Sequence, residues 1–346
     1  IYIYEEEFSV GNTRKSIKGI IARVQLEEFS KGIILPHEFT LSKAKEDRLN
    51  LMKATNCNFS QIYALYMDEK HTTLATIDEQ SKAKADLEFT DETGVTHRLW
   101  IETDEEIIAK LVADFADRKL YIADGHHRYE TALNYRNYCR ENGISKPGDP
   151  QDFQMIYLVD MEHPGLVVFP THRLVRDLPN FDKEAVLEKC SEFFYIDEKE
   201  GTDTMEEDLK KLYDEGKKAF GFYCGKGEWF LLTLKNIDFM SQMLPNVSKA
   251  SQSLDVSVLH TLILEKIFGI DKENMAKQIN LTYTKFFTEA IDGVDKGEFQ
   301  CSFVLNPTRV TEIRDVAAAG EKMPQKSTYF YPKMITGMVM NNLGVD

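Results

Sequence analysis

The chain has 346 residues, 42% of them hydrophobic and 29% charged, and its 57 acidic against 42 basic side chains give a formal charge of −15 at pH 7. No run approaches the ~18 apolar residues of a membrane-spanning helix, and so acidic a surface repels a phosphate backbone, so neither a membrane nor DNA is an expected partner. Five scattered cysteines, an odd number without a C-x-x-C pair, read as reduced thiols of a cytoplasmic protein.

The opening "IYIYEEEFSV" has no methionine or leader-like pattern and already reads as a strand, which places the natural N-terminus further upstream. A second strand, "IKGIIARVQL", precedes the helix "SKAKEDRLNLMKAT", with Ser42 as its N-cap and Leu49 and Met52 on its buried face. The strand "SQIYALYM", a turn-rich passage through "DETG" and the strand "HRLWIE" follow. The helix "DEEIIAKLVADFA" then opens with Asp104, Glu105 and Glu106 at its positive end. After the strand-to-helix stretch "LYIADGHHRYETALNYR", two prolines and two glycines make "GISKPGDP" a loop. Strands "FQMIYLVD" and "GLVVFP" lead to a helix, strand, helix, strand, strand pattern between Asp182 and Lys235. That order predicts a small α+β subdomain at 174–245, inserted between a core at 1–173 and a C-terminal part at 246–346 that returns to the core. The acidic run Asp197 to Glu207 reads as a solvated face, and "LDVSVLHTLILEKIFGI" as an amphipathic helix closed by Gly269.

Chemistry concentrates at "DGHHR". Asp, two His and Arg between an apolar strand and an apolar helix lower stability unless they find partners or a ligand. Asp124 suits a helix cap and Gly125 a tight turn or the close approach of a ligand. The first helical N–H groups, with His126, His127 and Arg128, suit a phosphate or another oxyanion, while Tyr129, Ala132 and Leu133 anchor the helix. Two other readings stay open: a plain capped helix, and a metal site using His127 and Glu130 on one helical face. In "LPHEFT", His37 and Glu38 end a strand, where a carboxylate serves as general base, holds a metal ion, or merely faces solvent. "FPTHRLV" offers Thr171, His172 and Arg173 as a second anion-binding cluster. "MPQKSTYFYPK" offers Gln325, Lys326, Ser327 and Thr328 in a segment stiffened by prolines. G-x-x-x-x-G-K-[ST], H-E-x-x-H, G-x-S-x-G and a dinucleotide G-x-G-x-x-G are absent from the sequence.

A strand, then "DGHHR", then a helix resembles the phosphate-binding motif of the ParB/sulfiredoxin superfamily, which includes partition proteins, sulfiredoxin and nucleotide-dependent free-serine kinases. A longer resemblance covers nearly the whole chain. "LPHEFTLSKAKEDRLNLMKATNCNFSQIYALY", "YIADGHHRYETAL", "FPTHRLV", "LDVSVLHTLI" and "MPQKSTYFYPK" are similar to domain of unknown function 1015, a mostly bacterial family labelled SpoOJ/ParA/ParB/RepB-like. This chain has Phe39 where that pattern usually has Arg, and Gln61 where it has Pro.

The resemblance implies an α/β protein with a ParB/sulfiredoxin-like core and an inserted α+β subdomain. It also implies a phosphotransferase that uses ATP or ADP with Mg2+ on a small hydroxyl-bearing metabolite, in the manner of the serine kinases. Gly125, His126, His127 and Arg128 are then the phosphate cradle, with Thr171, His172, Arg173, Lys326, Ser327 and Thr328 as further phosphate or nucleotide ligands. Glu38, Asp124 and His127 are the candidate catalytic groups, and Asp124 and Glu38 the candidate Mg2+ ligands. A non-catalytic ParB-like nucleotide switch and a phosphohydrolase or nuclease are the alternatives.

Overall fold

A computed structural model of the chain describes residues 1–40, 42–201 and 204–344; the Ser42 side chain, and with it the expected cap, lies outside the described residues, as do residues 202 and 203 of the acidic run. The protein is a mixed α/β chain in two compact units, residues 1–167 with 330–346 and residues 168–329. Among the described residues no helix is long and apolar enough to cross a membrane, and all five cysteines are free thiols.

Unit 1 opens with β1 (Tyr2–Val10) and β2 (Thr13–Gln25), continues through β3 (Ile34–Leu35), α1 (Ser42–Thr55), β4 (Cys57–Asn58), β5 (Ile62–Tyr66) and α2 (Thr72–Gln80), and then forms the hairpin β6 (Leu87–Thr90) and β7 (Thr96–Ile101). It goes on through α3 (Glu105–Asp114), β8 (Leu120–Asp124), α4 (His126–Glu141) and β9 (Phe153–Asp160). Eight strands form one sheet in the order β3-β8-β5-β9-β2-β1-β7-β6, with parallel pairing at β3·β8 and β5·β9. Period-two alternation sorts the strands' side chains onto two faces. Ile3, Ile20, Ile62, Ala64, Ile122, Ile156 and Leu158 join Met52 of α1 and Tyr129, Ala132 and Leu133 of α4 in one core, so the apolar stripes expected for both helices are the ones buried. The Asp104 carboxylate caps α3, accepting from the Glu106 and Ile107 N–H groups. Helix α2 and strand β6 had no clear signal, because "TTLATIDEQ" and "LEFT" are short and mostly polar.

Unit 2 holds β11 (His172–Val175), α5 (Lys183–Cys190), β12 (Phe194–Glu200), α6 (Met205–Asp214), β13 (Ala219–Tyr223) and β14 (Glu228–Leu234). Short helices α7 (Asp238–Met243), α8 (Lys249–Gln252) and α9 (Asp255–Val258) lead into a π-helical segment, Leu259–Glu265. Then come α10 (Lys272–Lys277), β15 (Leu281–Thr284), α11 (Phe287–Asp295), β16 (Cys301–Val304) and α12 (Val310–Ala318). The chain passes between the units within β10 (Val167–Phe169) and β17 (Tyr329–Tyr331). The inserted unit is therefore longer than the expected 174–245. Strands β15 and β16 belong to the same six-stranded sheet as β11–β14, in the order β12-β14-β13-β16-β11-β15, and only the residues from 330 onward return. The expected amphipathic helix at 254–270 is buried almost all round: Val256, Val258, Leu259, Leu262, Ile263 and Leu264 all lie in the unit 2 core. A helix with so few polar positions hides most of its surface.

The other face of the unit 1 sheet holds a buried polar chain. The Tyr4 hydroxyl stands 3.1 Å from Glu6 Oε1 and 2.7 Å from His97 Nδ1, and His97 Nε2 lies 3.2 Å from Asp91 Oδ2. Burial pushes the Glu6 carboxyl up to about 7, against the pull of the Tyr4 hydrogen bond. A raised carboxyl holds its proton more tightly in the folded chain than in the unfolded one, so stability falls as pH rises from about 4.5 through about 7. Glu6→Gln keeps the shape of the protonated acid and removes this loss. The variant is expected to gain on the order of 2 kcal/mol over wild type at pH 8 and little at pH 5, read from urea unfolding at both values. An equal effect at the two pH values contradicts the shift.

Candidate functional site

Strand β8 ends at Asp124, Gly125 turns the chain, and α4 begins at His126. Gly125 sits at φ +99°, left-handed backbone that a side-chain-bearing residue adopts only under strain, and a Cβ there would stand 3.0 Å from Arg128 Nε and Nη2. The guanidinium lies folded over the glycine. Its Nη2 donates to Asp124 Oδ2 at 2.7 Å, and its Nη1 donates to Ser60 Oγ at 3.0 Å and to the Gln61 carbonyl. Asp124 does not cap the helix as expected, because its carboxylate is already shared: Lys333 Nζ donates to Oδ1 at 2.6 Å. Burial pushes the Asp124 carboxyl up, but Lys333 and Arg128 together outweigh burial and hold it below its ordinary value.

The "LPHEFT" loop is fastened to the same junction. His37 is buried, with Nδ1 2.7 Å from the Ile122 carbonyl of β8, and its backbone N–H donates to His126 Nε2 at 3.2 Å. Burial drives His37 down to about 4, so the ring is neutral and donates through Nδ1. A ring nitrogen that accepts carries no proton, which assigns the His126 proton to Nδ1, 4.0 Å from Glu38 Oε2. Glu38 is thus the carboxylate that faces the start of α4. His127 occupies the first turn, half-buried, and Phe39 is exposed.

The metal reading built on His127 and Glu130 does not fit. Glu130 Oε2 is taken by Lys45 Nζ and Thr40 Oγ1, each at 2.7 Å. Among the described residues no three His, Cys, Asp or Glu side chains stand together as a metal cage.

Three contributors escaped sequence reasoning. Lys333 closes "MPQKSTYFYPK", five residues beyond the K-S-T that carries the segment's evident polar signal. Ser60 gave no signal. Arg48, on α1, gave no signal either, yet it lines a pocket of about 110 Å³ with Arg128, Asn58, Ser60, Thr131 and Gln154. Two guanidiniums beside a helix N-terminus make this corner of unit 1 suit a polyanion.

In unit 2, Thr171, Arg173 and Lys326 come together and His172 does not join them. His172 and Arg173 are successive residues of a strand, not of a loop beyond one, and so point to opposite faces. Arg173 is wholly buried: Nη1 donates to the Thr171 carbonyl, Nη2 to the Lys326 carbonyl at 3.1 Å, and Nε and Nη2 meet His260 Nε2 at 3.3 and 3.1 Å. His172 accepts from the Leu305 N–H at 3.4 Å and packs edge-on against Phe287. Lys326 has left-handed backbone, φ +59°, and an exposed side chain. Ser327 is buried, its hydroxyl donating to the Pro324 carbonyl, while its own carbonyl accepts from the Thr308 hydroxyl. Thr328 follows, half-buried.

A sequence model of the family described as "Protein of unknown function (DUF1015)" matches residues 1–257. No curated protein matches by sequence. Among solved structures, the chain is similar to a conserved hypothetical protein from Pyrococcus furiosus, with 16% identity, 94% of this chain and 97% of that one covered, and a TM-score of 0.43. It is also similar to a free serine kinase in complex with AMP (14% identity, 92% and 91% covered, TM-score 0.44) and to a free serine kinase variant in complex with ADP (12%, 92% and 91%, 0.45).

Gly125→Val places a β-branched side chain at φ +99° and against the Arg128 guanidinium. A loss of about 1–3 kcal/mol is expected in urea unfolding, whereas the same change at a strand glycine of ordinary φ would act through sterics alone. Wild-type stability in Gly125→Val contradicts the described turn.

Proposed function

The chain belongs to the family described as protein of unknown function DUF1015, and from that premise we propose that unit 1 binds the phosphates of ATP or ADP and serves a phosphotransferase acting on a small hydroxyl-bearing metabolite. The observation that carries this reading is the meeting, at the first turn of α4, of the positive end of the helix dipole, the cations Arg128 and Lys333 around Asp124, and the Glu38 carboxylate facing His126. The finer fold assignment, a ParB/sulfiredoxin-like core, is part of the same proposal and is supported by the strand, "DGHHR" and helix succession.

The nucleotide supplies the phosphoryl group. Backbone N–H groups of His126, His127 and Arg128 bind phosphate oxygens, with the His127 ring as a further donor. Arg128 keeps one face for the ligand while its other donors hold Asp124, Ser60 and Gln61. Glu38 takes the proton of the acceptor hydroxyl on its carboxylate, and His126 Nδ1–H orients it. Asp124, held ionised between two cations, is a weak base and serves to fix Arg128 and Lys333. Mg2+ arriving with the nucleotide would be held by phosphate oxygens and water and would neutralise charge on the transferring phosphoryl group, while Glu38 serves as the base.

ATP or ADP with Mg2+ is expected to raise the melting temperature, and Glu38→Gln to leave the nucleotide Kd within about twofold while lowering turnover by about 10²–10⁴. Absence of stabilisation by any nucleotide overturns the proposal. Tight binding without turnover in wild type would instead favour a ParB-like switch. Arg128→Ala is expected to lose both binding and stability, because the side chain also ties β8 to Ser60 and Gln61.

A further inference from the structure

Arg173 poses a problem of charge that its neighbours leave unsolved. The side chain is 0% exposed. Its hydrogen-bond partners are two backbone carbonyls and one imidazole nitrogen, and the Tyr283 ring lies 5.3 Å from its Cζ. Carbonyls, a neutral ring and an aromatic face supply dipoles and no countercharge, and among the described residues no carboxylate pairs with this guanidinium. Buried charges are ordinarily paired with an opposite charge or bound to a ligand, because dipoles alone return too little of what desolvation takes.

A second observation stands beside the first. The Thr171 carbonyl accepts from Arg173 Nη1, which sets this residue against the guanidinium, yet the Thr171 hydroxyl, on a residue only 7% exposed, has no hydrogen-bond partner. His260 reaches Arg173 from a π-helical segment, a rare form that recurs at functional sites. Its Nε2 is the acceptor here, so its proton lies on Nδ1; burial and the neighbouring Arg173 keep the ring neutral. The segment "LDVSVLHTLI" thus joins "FPTHRLV" and "MPQKSTYFYPK" at one side chain. On the third side the Lys326 carbonyl is carried by a residue at φ +59°, a conformation that a lysine holds only under strain.

We propose that unit 2 carries an oxyanion site of its own, in which a phosphate or carboxylate group binds the Arg173 guanidinium, replaces the Lys326 carbonyl on Nη2 and accepts from the Thr171 hydroxyl. The proposal does not depend on the nucleotide reading of unit 1. Guanidinium geometry matches both anions, since each offers two oxygens to the planar fork.

The test titrates purified full chain with inorganic phosphate and, separately, with acetate, against chloride at equal ionic strength, following the melting temperature. At least one oxyanion is expected to give a saturable rise in Arg128→Ala, where the unit 1 cradle is disabled, and none in the Arg128→Ala, Arg173→Met double variant. A rise that survives in the double variant, or one that is missing in Arg128→Ala, overturns the assignment, as does the lack of any saturable rise with both anions. The phosphate and acetate arms tell the two sources apart. Should Arg173→Met fail to fold, Thr171→Val decides: it is expected to weaken the apparent affinity at least fivefold, and an unchanged affinity overturns the site.

Discussion

The contact on which the unit 1 site depends is the Asp124–Arg128 ion pair closed over Gly125. It joins the last residue of a core strand to the first turn of the helix that follows, and a Cβ at position 125 would crowd it at 3.0 Å. From this pair the rest is held in place. Ser60 and the Gln61 carbonyl bring the start of β5 to Nη1, Lys333 takes the other Asp124 oxygen, and the His37 and His126 rings fasten the Glu38 loop alongside. A carboxylate between two cations contributes little to stability by itself when half-exposed, so its value lies in orientation.

This arrangement explains why the "DGHHR" residues need not be costly. His126 is buried but satisfied, Asp124 is neutralised, and Arg128 spends three of its donors inside the protein. The positive end of the helix lies beside them, a setting suited to a phosphate. Had Arg128 projected freely, it would be a better ligand and a poorer organiser.

Much of this was legible in the sequence where a single local rule decides. The strand, glycine and helix at 120–141, the buried stripe of Tyr129, Ala132 and Leu133, and the acidic opening of α3 all follow from periodicity and helix-end charge. The partner of Asp124 was not legible, since Lys333 lies 209 residues away and only the fold brings it near. Reading Thr171, His172 and Arg173 as one cluster failed for a different reason: once β11 includes His172, alternation sends neighbours to opposite faces. The length of the inserted unit was hidden too, because the strands Leu281–Thr284 and Cys301–Val304 are four residues each and give no hint of which sheet they join.

The most direct measurement of the central claim is an amide NMR titration of the full chain with Mg2+ and ADP. The account predicts that the backbone N–H resonances of Gly125 to Arg128 shift together and saturably, with the Lys333 Nζ signal moving in step. Shifts that cluster elsewhere in the chain while these four amides stay still would contradict it.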